Sequence, residues 1–203
     1  MAKPSNKDEI IAAGLRVMFR KGYHDAGVRD LVAAAGVPQG SFTNHFRSKE
    51  AFAAEVLNFY FADTRKLVAQ ALSDQRHGPG ERIRAYLDLI TERLAADQFR
   101  RGCLIGDFSI EMSQSSDLIR EQLVQIYKDW LGPFVACIAE GQRLGEIDAR
   151  FPPDDLADFL ISSWEGAILR MKVVRSAEPL ERFKAIAFAT IFAHPARPAS
   201  VSR

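Results

Sequence analysis

GVPQGSFTNHFRSKEAF, running from Gly36 to Phe52, is the most telling stretch of this 203-residue chain. Pro38 stands where a short helix begins, a position that suits a residue without an amide donor. Phe42 and Phe46, four residues apart, form the inward pair of that helix. Its outward face is Gln39, Gly40, Ser41, Thr43, Asn44 and His45, with no acid and only small or hydrogen-bonding groups. Just upstream, Val28, Leu31, Val32 and Ala35 stripe another short helix, interrupted at Ala35-Gly36-Val37. Two short helices across a tight glycine turn brace one another, so that the second can lie in a DNA major groove. Small polar side chains permit close approach to phosphates and base edges, and Gly40 puts no side chain in the way.

Working outward, the pattern stays helical. Ile11, Leu15, Met18 and Phe19 predict one face of a first helix, capped by Ser5 or Asn6, with Asp8 and Glu9 in its first turn and Lys21-Gly22 at its end. Ser48 caps a fourth helix, whose buried side continues through Phe52, Val56, Tyr60 and Leu67. No stretch alternates as a strand does. The expected fold is all-α: an amino-terminal three-helix head carrying a helix-turn-helix, then a larger helical domain. The expected boundaries are 1–50 for the head, 51–193 for the larger domain and 194–203 for a frayed tail.

Charge separates the same two parts. Residues 1–50 hold eight Lys and Arg against five acids, and the remainder nineteen against twenty-one, within a net charge of +1. A basic head on a mildly acidic body suits a polyanionic partner. The longest apolar runs, Leu131 to Ala139 and Ala185 to Ala193, are nine residues each, whereas a membrane span needs about 20. The first residues run into charge without the apolar core of a signal peptide. Two cysteines make no disulfide framework, and no Cys/His cluster has zinc spacing. These features predict a soluble, cytoplasmic chain with no membrane partner, no metal and no cofactor.

Lys21-Gly22-Tyr23, then Val28-Arg29-Asp30-Leu31, then Gly36 to Phe52 together resemble the amino-terminal domain of TetR-family transcriptional regulators, over about residues 6–57. The resemblance implies a homodimer with two heads and a larger carboxy-terminal domain that binds a small molecule. By the same resemblance Val28 and Arg29 open the bracing helix, Pro38 to His45 form the recognition helix, and Lys49 grips a phosphate. Two positions depart from the family's habit. Thr43 stands where a tyrosine commonly reaches a phosphate, and Ala26-Gly27 replaces a hydroxyl pair. Gly27 remains an acceptable cap, costing a few tenths of a kcal/mol relative to serine.

In the body, Gln75 to Gly80 breaks the chain, and Ile83, Leu87, Ile90 and Leu94 mark the next helix. A long helix from about Asp117 to Leu144 buries Ile119, Leu123, Ile126, Trp130, Phe134 and Cys137, with a kink expected at Pro133. The last two helices carry more apolar surface than one core can cover. Leu156, Phe159, Leu160, Ser163, Ala167 and Met171, with Phe183 and Ala187, are the expected homodimer interface, a four-helix contact about a two-fold axis. Two heads so joined suit a palindromic double-stranded operator with half-sites about 34 Å apart.

Large groups in the middle helices, Phe108, Met112, Tyr127, Trp130 and Trp164, with Asp107, Glu111 and Glu165 among them, predict an effector pocket between the fourth, fifth, seventh and eighth helices. Cys103 follows Arg100 and Arg101 near a helix start, and both features favour a thiolate. Gly102-Cys103-Leu104-Ile105-Gly106 also resembles a segment from a branch of the family with members that respond to electrophiles or oxidants. Cys137, mid-helix in apolar surroundings, is expected to be inert. The enzyme motifs sought, a nucleophile elbow, a phosphate-binding loop and a zinc-binding His pair, do not occur. The expected function is therefore a sequence-specific DNA-binding regulator, a repressor released by a small-molecule or reactive electrophile. The alternative is an effector-independent architectural DNA binder.

Overall fold

In the computed structural model, residues 6–192 are described; Ser5 and the expected tail from His194 lie outside them. Among the described residues there are nine α-helices and no strand: α1 (Asn6–Asp25), α2 (Val28–Ala35), α3 (Gln39–His45), α4 (Lys49–Leu72), α5 (Pro79–Ala96), α6 (Leu104–Met112), α7 (Asp117–Arg143), α8 (Pro153–Val174) and α9 (Glu178–Thr190). None is long and apolar enough to cross a membrane.

The described residues pack as two compact units, one within residues 6–66 and 101–128, the other within residues 67–100 and 129–192. They are cut differently from the expected segments 1–50 and 51–193, because α6 and the start of α7 pack with the head. Ser116 Oγ at the head of α7 donates to Glu50 Oε1 in the first turn of α4. Gln122 Nε2 donates to the Ala54 carbonyl at 2.7 Å and to Asn58 Oδ1 at 2.8 Å.

In the first unit α1 buries Ile10, Ile11, Ala13, Val17 and Met18. The inward face is thus turned by one residue from the expected stripe, leaving Leu15 and Phe19 half-buried. Gly14 admits the Phe52 ring, where a Cβ would come within 2.2 Å of Cζ. Helical geometry fails at Gly22, with φ 75° and ψ 177°, a combination open essentially to glycine alone. The expected helix end is therefore a break, followed by one further turn. Gly27 caps α2, and its N–H donates to Asp30 Oδ2 at 3.0 Å. Lys21 also grips Asp30, at 2.9 Å, and this contact leads in holding that carboxyl below its usual range. Gly36 closes α2 in the left-handed region at φ 69°. Ser48 Oγ accepts the Ala51 N–H at 3.0 Å, as a helix cap does.

In the second unit α7 buries Trp130, Phe134 and Cys137, and the helix runs on through Pro133 without a break. Two buried cations went unread in the sequence. Arg82, 3% exposed, pairs with Glu140 at 2.6 Å and donates to the Leu72 carbonyl at 2.9 Å. Lys184, 4% exposed, ties α9 to Asp88 on α5. Cations at such depth are tolerated only when paired.

Candidate nucleic-acid interface

Phe42 and Phe46 are buried, and with Phe52 they close a ring triad with centroids 4.8–5.3 Å apart. Aromatic edges meeting faces at such separations fix orientation as well as area. This triad bolts α3 down by its inner face and leaves Gln39, Gly40, Thr43, Asn44 and His45 exposed and Ser41 half-buried. Thr43 Oγ1 donates to the Gly40 carbonyl at 3.1 Å, inside its own helix. A Cβ on Gly40 would meet nothing within 4 Å, so no internal packing asks for glycine there. On α2, Arg29 is exposed and Val28 half-buried.

Lys49 is more committed than a free phosphate contact would be. Its Nζ donates to the His24 carbonyl at 3.0 Å and lies 4.4 Å from the Tyr23 ring centroid. Burial lowers its pKa, against the opposing charges of Asp25, Glu111 and Asp30. One of three ammonium donors is thus engaged, leaving two.

The expected effector residues fall into separate groups. Cys103, Asp107, Phe108, Met112 and Tyr127 belong to the first unit, Trp130 and Trp164 to the second. Cys103 is the N-cap residue of α6, and its Sγ receives the Tyr60 hydroxyl at 3.8 Å. The Tyr60 ring meets Phe19 edge-on at 5.7 Å, and Arg101 lies over Phe19 at 5.4 Å. Phe108 and Met112 are buried, Asp107 is half-buried, and the Tyr127 hydroxyl shares a 3.2 Å hydrogen bond with Ser109. In the second unit Trp130 and Trp164 are both buried, and Trp164 lies against Phe183 at 5.6 Å. Glu111, expected among pocket groups, instead turns its carboxylate onto the Tyr23 and His24 amides. Cys137 is buried, and burial pushes its thiol up to about 11. Among the described residues, no group of three or more His, Cys, Asp or Glu could hold a metal ion.

Much of the expected dimer stripe is covered within the single chain. Leu160 and Met171 are wholly buried within the single chain, and Leu156, Ala167 and Ala187 nearly so. A side chain already covered has no area left for a partner. Of the eight, Phe159 is 50% exposed, and Ser163 and Phe183 are half-buried. The bare stripe runs beside them: Ser162, Gly166, Leu169 and Val173 on α8, with Ala185, Ile186 and Ala189 on α9. Ala157, Ile161, Trp164 and Ile168 of α8 are buried as well, so both of its larger apolar sides face inward.

A helix-turn-helix bolted to an all-helical scaffold, with a polar outward face, defines a DNA-binding regulator. Residues 10–56 match the family described as bacterial regulatory proteins, tetR family, and residues 79–187 match the tetracyclin repressor-like C-terminal domain. The chain belongs to the TetR family of transcriptional regulators, a family of regulators and not of enzymes. It is 44% identical over 188 residues to the HTH-type transcriptional repressor DhaR of Mycobacterium sp. (strain GP1), covering 93% of each chain. A regulatory protein TetR from Rhodobacter sphaeroides superposes with a TM-score of 0.86 at 34% identity, over 91% of this chain and 97% of the other. The reduced form of NemR from Escherichia coli superposes at 0.82 with 28% identity, over 94% and 98%.

Proposed function

We propose that this chain is a repressor that binds a palindromic operator as a homodimer and is released when an effector acts at the Cys103 end of α6. The head, residues 1–50, reads DNA through Gln39, Gly40, Ser41, Thr43, Asn44 and His45, with Val28 and Arg29 opening the bracing helix at the DNA and Lys49 on a phosphate. The observation that carries this reading is the outward face of α3: Gln39, Gly40, Thr43, Asn44 and His45 stand exposed over the buried Phe42 and Phe46, an acid-free face of small and hydrogen-bonding groups. Dimerisation joins the bare faces of α8 and α9. A repressor named as such, DhaR, at 44% identity, supports the direction of regulation.

For release, Cys103 is the reacting group and an electron-poor alkene the effector class. The sulfur adds to one alkene carbon, the thiol proton passes to the neighbouring carbon, and no oxidant is needed. The adduct adds bulk at a cap position that is 8% exposed, so α6 cannot stay where it is. Such a change represses or releases only through a differential effect on the two head spacings.

The test uses a duplex selected from a random pool by the wild-type protein, with N-ethylmaleimide as the electrophile. Wild type is expected to lose at least ~10-fold in affinity on treatment, the usual lower range of allosteric coupling, while Cys103→Ser binds equally well untreated and does not respond. Continued release of the Ser variant removes Cys103 from the mechanism. Steep salt dependence without sequence preference would instead make the protein an architectural binder.

A further inference from the structure

The break in α1 at Gly22 leaves the Tyr23 and His24 amides at the start of a new turn, where backbone donors have no intrahelical acceptor. Their acceptor comes from α6, 88 residues away in sequence: Glu111 Oε2 receives the Tyr23 N–H at 2.8 Å and the His24 N–H at 3.4 Å. The fit is close, since a Cβ on Gly22 would stand 2.7 Å from Glu111 Oε1. The same corner is held twice more. Tyr23 packs edge-on against Phe108 of α6 at 5.9 Å, and the His24 ring nitrogen Nε2 lies 3.2 Å from the Glu111 carbonyl oxygen. From the other side Lys49 holds the His24 carbonyl.

This corner is the root of the reading head. Asp25 ends α1, Ala26 is fully buried, and Gly27 already caps α2. There is no slack in which a change of direction at residues 23 and 24 could be absorbed. At the other end of α6 stands Cys103, about 12 Å along the axis at 1.5 Å per residue. Leu104, Ile105, Phe108 and Met112 are all buried, so this short helix moves as one body.

We propose that Glu111 is a positioning residue for DNA binding: its carboxylate clasps the Tyr23–His24 corner to α6 and thereby sets the direction in which α2 and α3 are presented. The inference rests on the DNA-binding reading above and supplies the link by which α6 regulates it. Glu111 touches no DNA. It acts through the corner, and loosening it costs the two heads their matched aim at two half-sites.

The experiment compares Glu111→Ala, Glu111→Gln and wild type by amide hydrogen exchange without DNA, and by affinity for the selected duplex and for a random-sequence duplex. In Glu111→Ala the Tyr23 and His24 amides exchange ~10-fold faster and affinity for the selected duplex falls ~10-fold, the scale of one charged hydrogen bond. Affinity for the random duplex stays within ~2-fold, because non-specific binding needs no matched aim. Glu111→Gln, which keeps an acceptor oxygen, recovers selected-duplex binding to within ~3-fold. Unchanged exchange at both amides refutes the clasp, and faster exchange with unchanged affinity refutes its role in aiming the head. Equal loss on both duplexes also overturns the proposal, since general destabilisation behaves that way. If the Ala variant does not fold, the Gln variant decides, by faster exchange at Tyr23 with a loss confined to the selected duplex. Failure of wild type to prefer any duplex overturns the DNA-binding reading itself, and with it this proposal.

Discussion

The outward face of α3 and the outward face of α8 and α9 are both exposed among the described residues, and in different ways. The outward face of α3 is polar and low, with Gly40 at one end and Asn44 and His45 at the other. The outward face of α8 and α9 is apolar and tall, with Leu169 51%, Val173 74% and Ile186 58% exposed. A low polar face suits a partner that is itself polar, charged and closely approached. A tall apolar face lowers its free energy only by being covered, at roughly 25 cal/mol per Å² of apolar area removed from water. The contrast supports the proposal of DNA at one and a second copy of the chain at the other, and each half can be broken separately.

The largest effect is expected at the apolar face. Paired Val173→Glu and Ile186→Glu substitutions place charge on the proposed dimer face and are expected to drive the chains apart. Sedimentation is expected to show a single subunit, and affinity for the selected duplex to fall ~100-fold as the two heads lose their linkage. A dimer that survives both charges breaks the assignment of that face.

At the polar face, Gly40→Ala separates stability from binding. The added methyl meets nothing in the protein, and alanine in place of glycine in a helix stabilises by ~0.5–1 kcal/mol. Thermal unfolding should therefore shift slightly upward while DNA affinity falls ~10-fold, about the worth of one good base contact. Both quantities unchanged would mean that nothing approaches α3 there.

The smallest effect belongs to neither face. Cys137 is buried in the second unit with its thiol pushed up to about 11, chiefly because burial disfavours the charged form. The folded state thus holds a proton that the unfolded chain gives up from about 9. Its contribution to stability is complete below that pH and is lost as pH rises from there to about 11. A Cys137→Ala variant should show a flatter fall in denaturant midpoint across this window, and Cys137 should stay unlabelled by maleimide at pH 8.

The head was legible because its signals are local. Phe42 and Phe46 one turn apart, Gly36 in the turn between two helices and Ser48 as a cap each act within a few residues, and all stand in the structure as read. The outward residues of α3 were legible for the same reason, since an inward pair four apart leaves only one side to face out. Errors came where two answers shared one pattern. On α1 adjacent apolar stripes differ by one residue, and the choice went to the stripe that meets Phe52. On α8, apolar residues on more than one side suit either an internal core or a partner, and Leu160 and Met171 lie in the internal core.

Sequence alone determined the helices, the Gly27 and Ser48 caps and the composition of the outward face of α3, since backbone conformation answers to neighbours three or four residues away. Tertiary structure alone decided which stripe of α8 stays uncovered, that Arg82 and Lys184 lie buried with acid partners, and that Glu111 serves amides 88 residues distant. A carboxylate has no periodicity that names its partner. Its partner is whichever donor the folded chain leaves unsatisfied within reach.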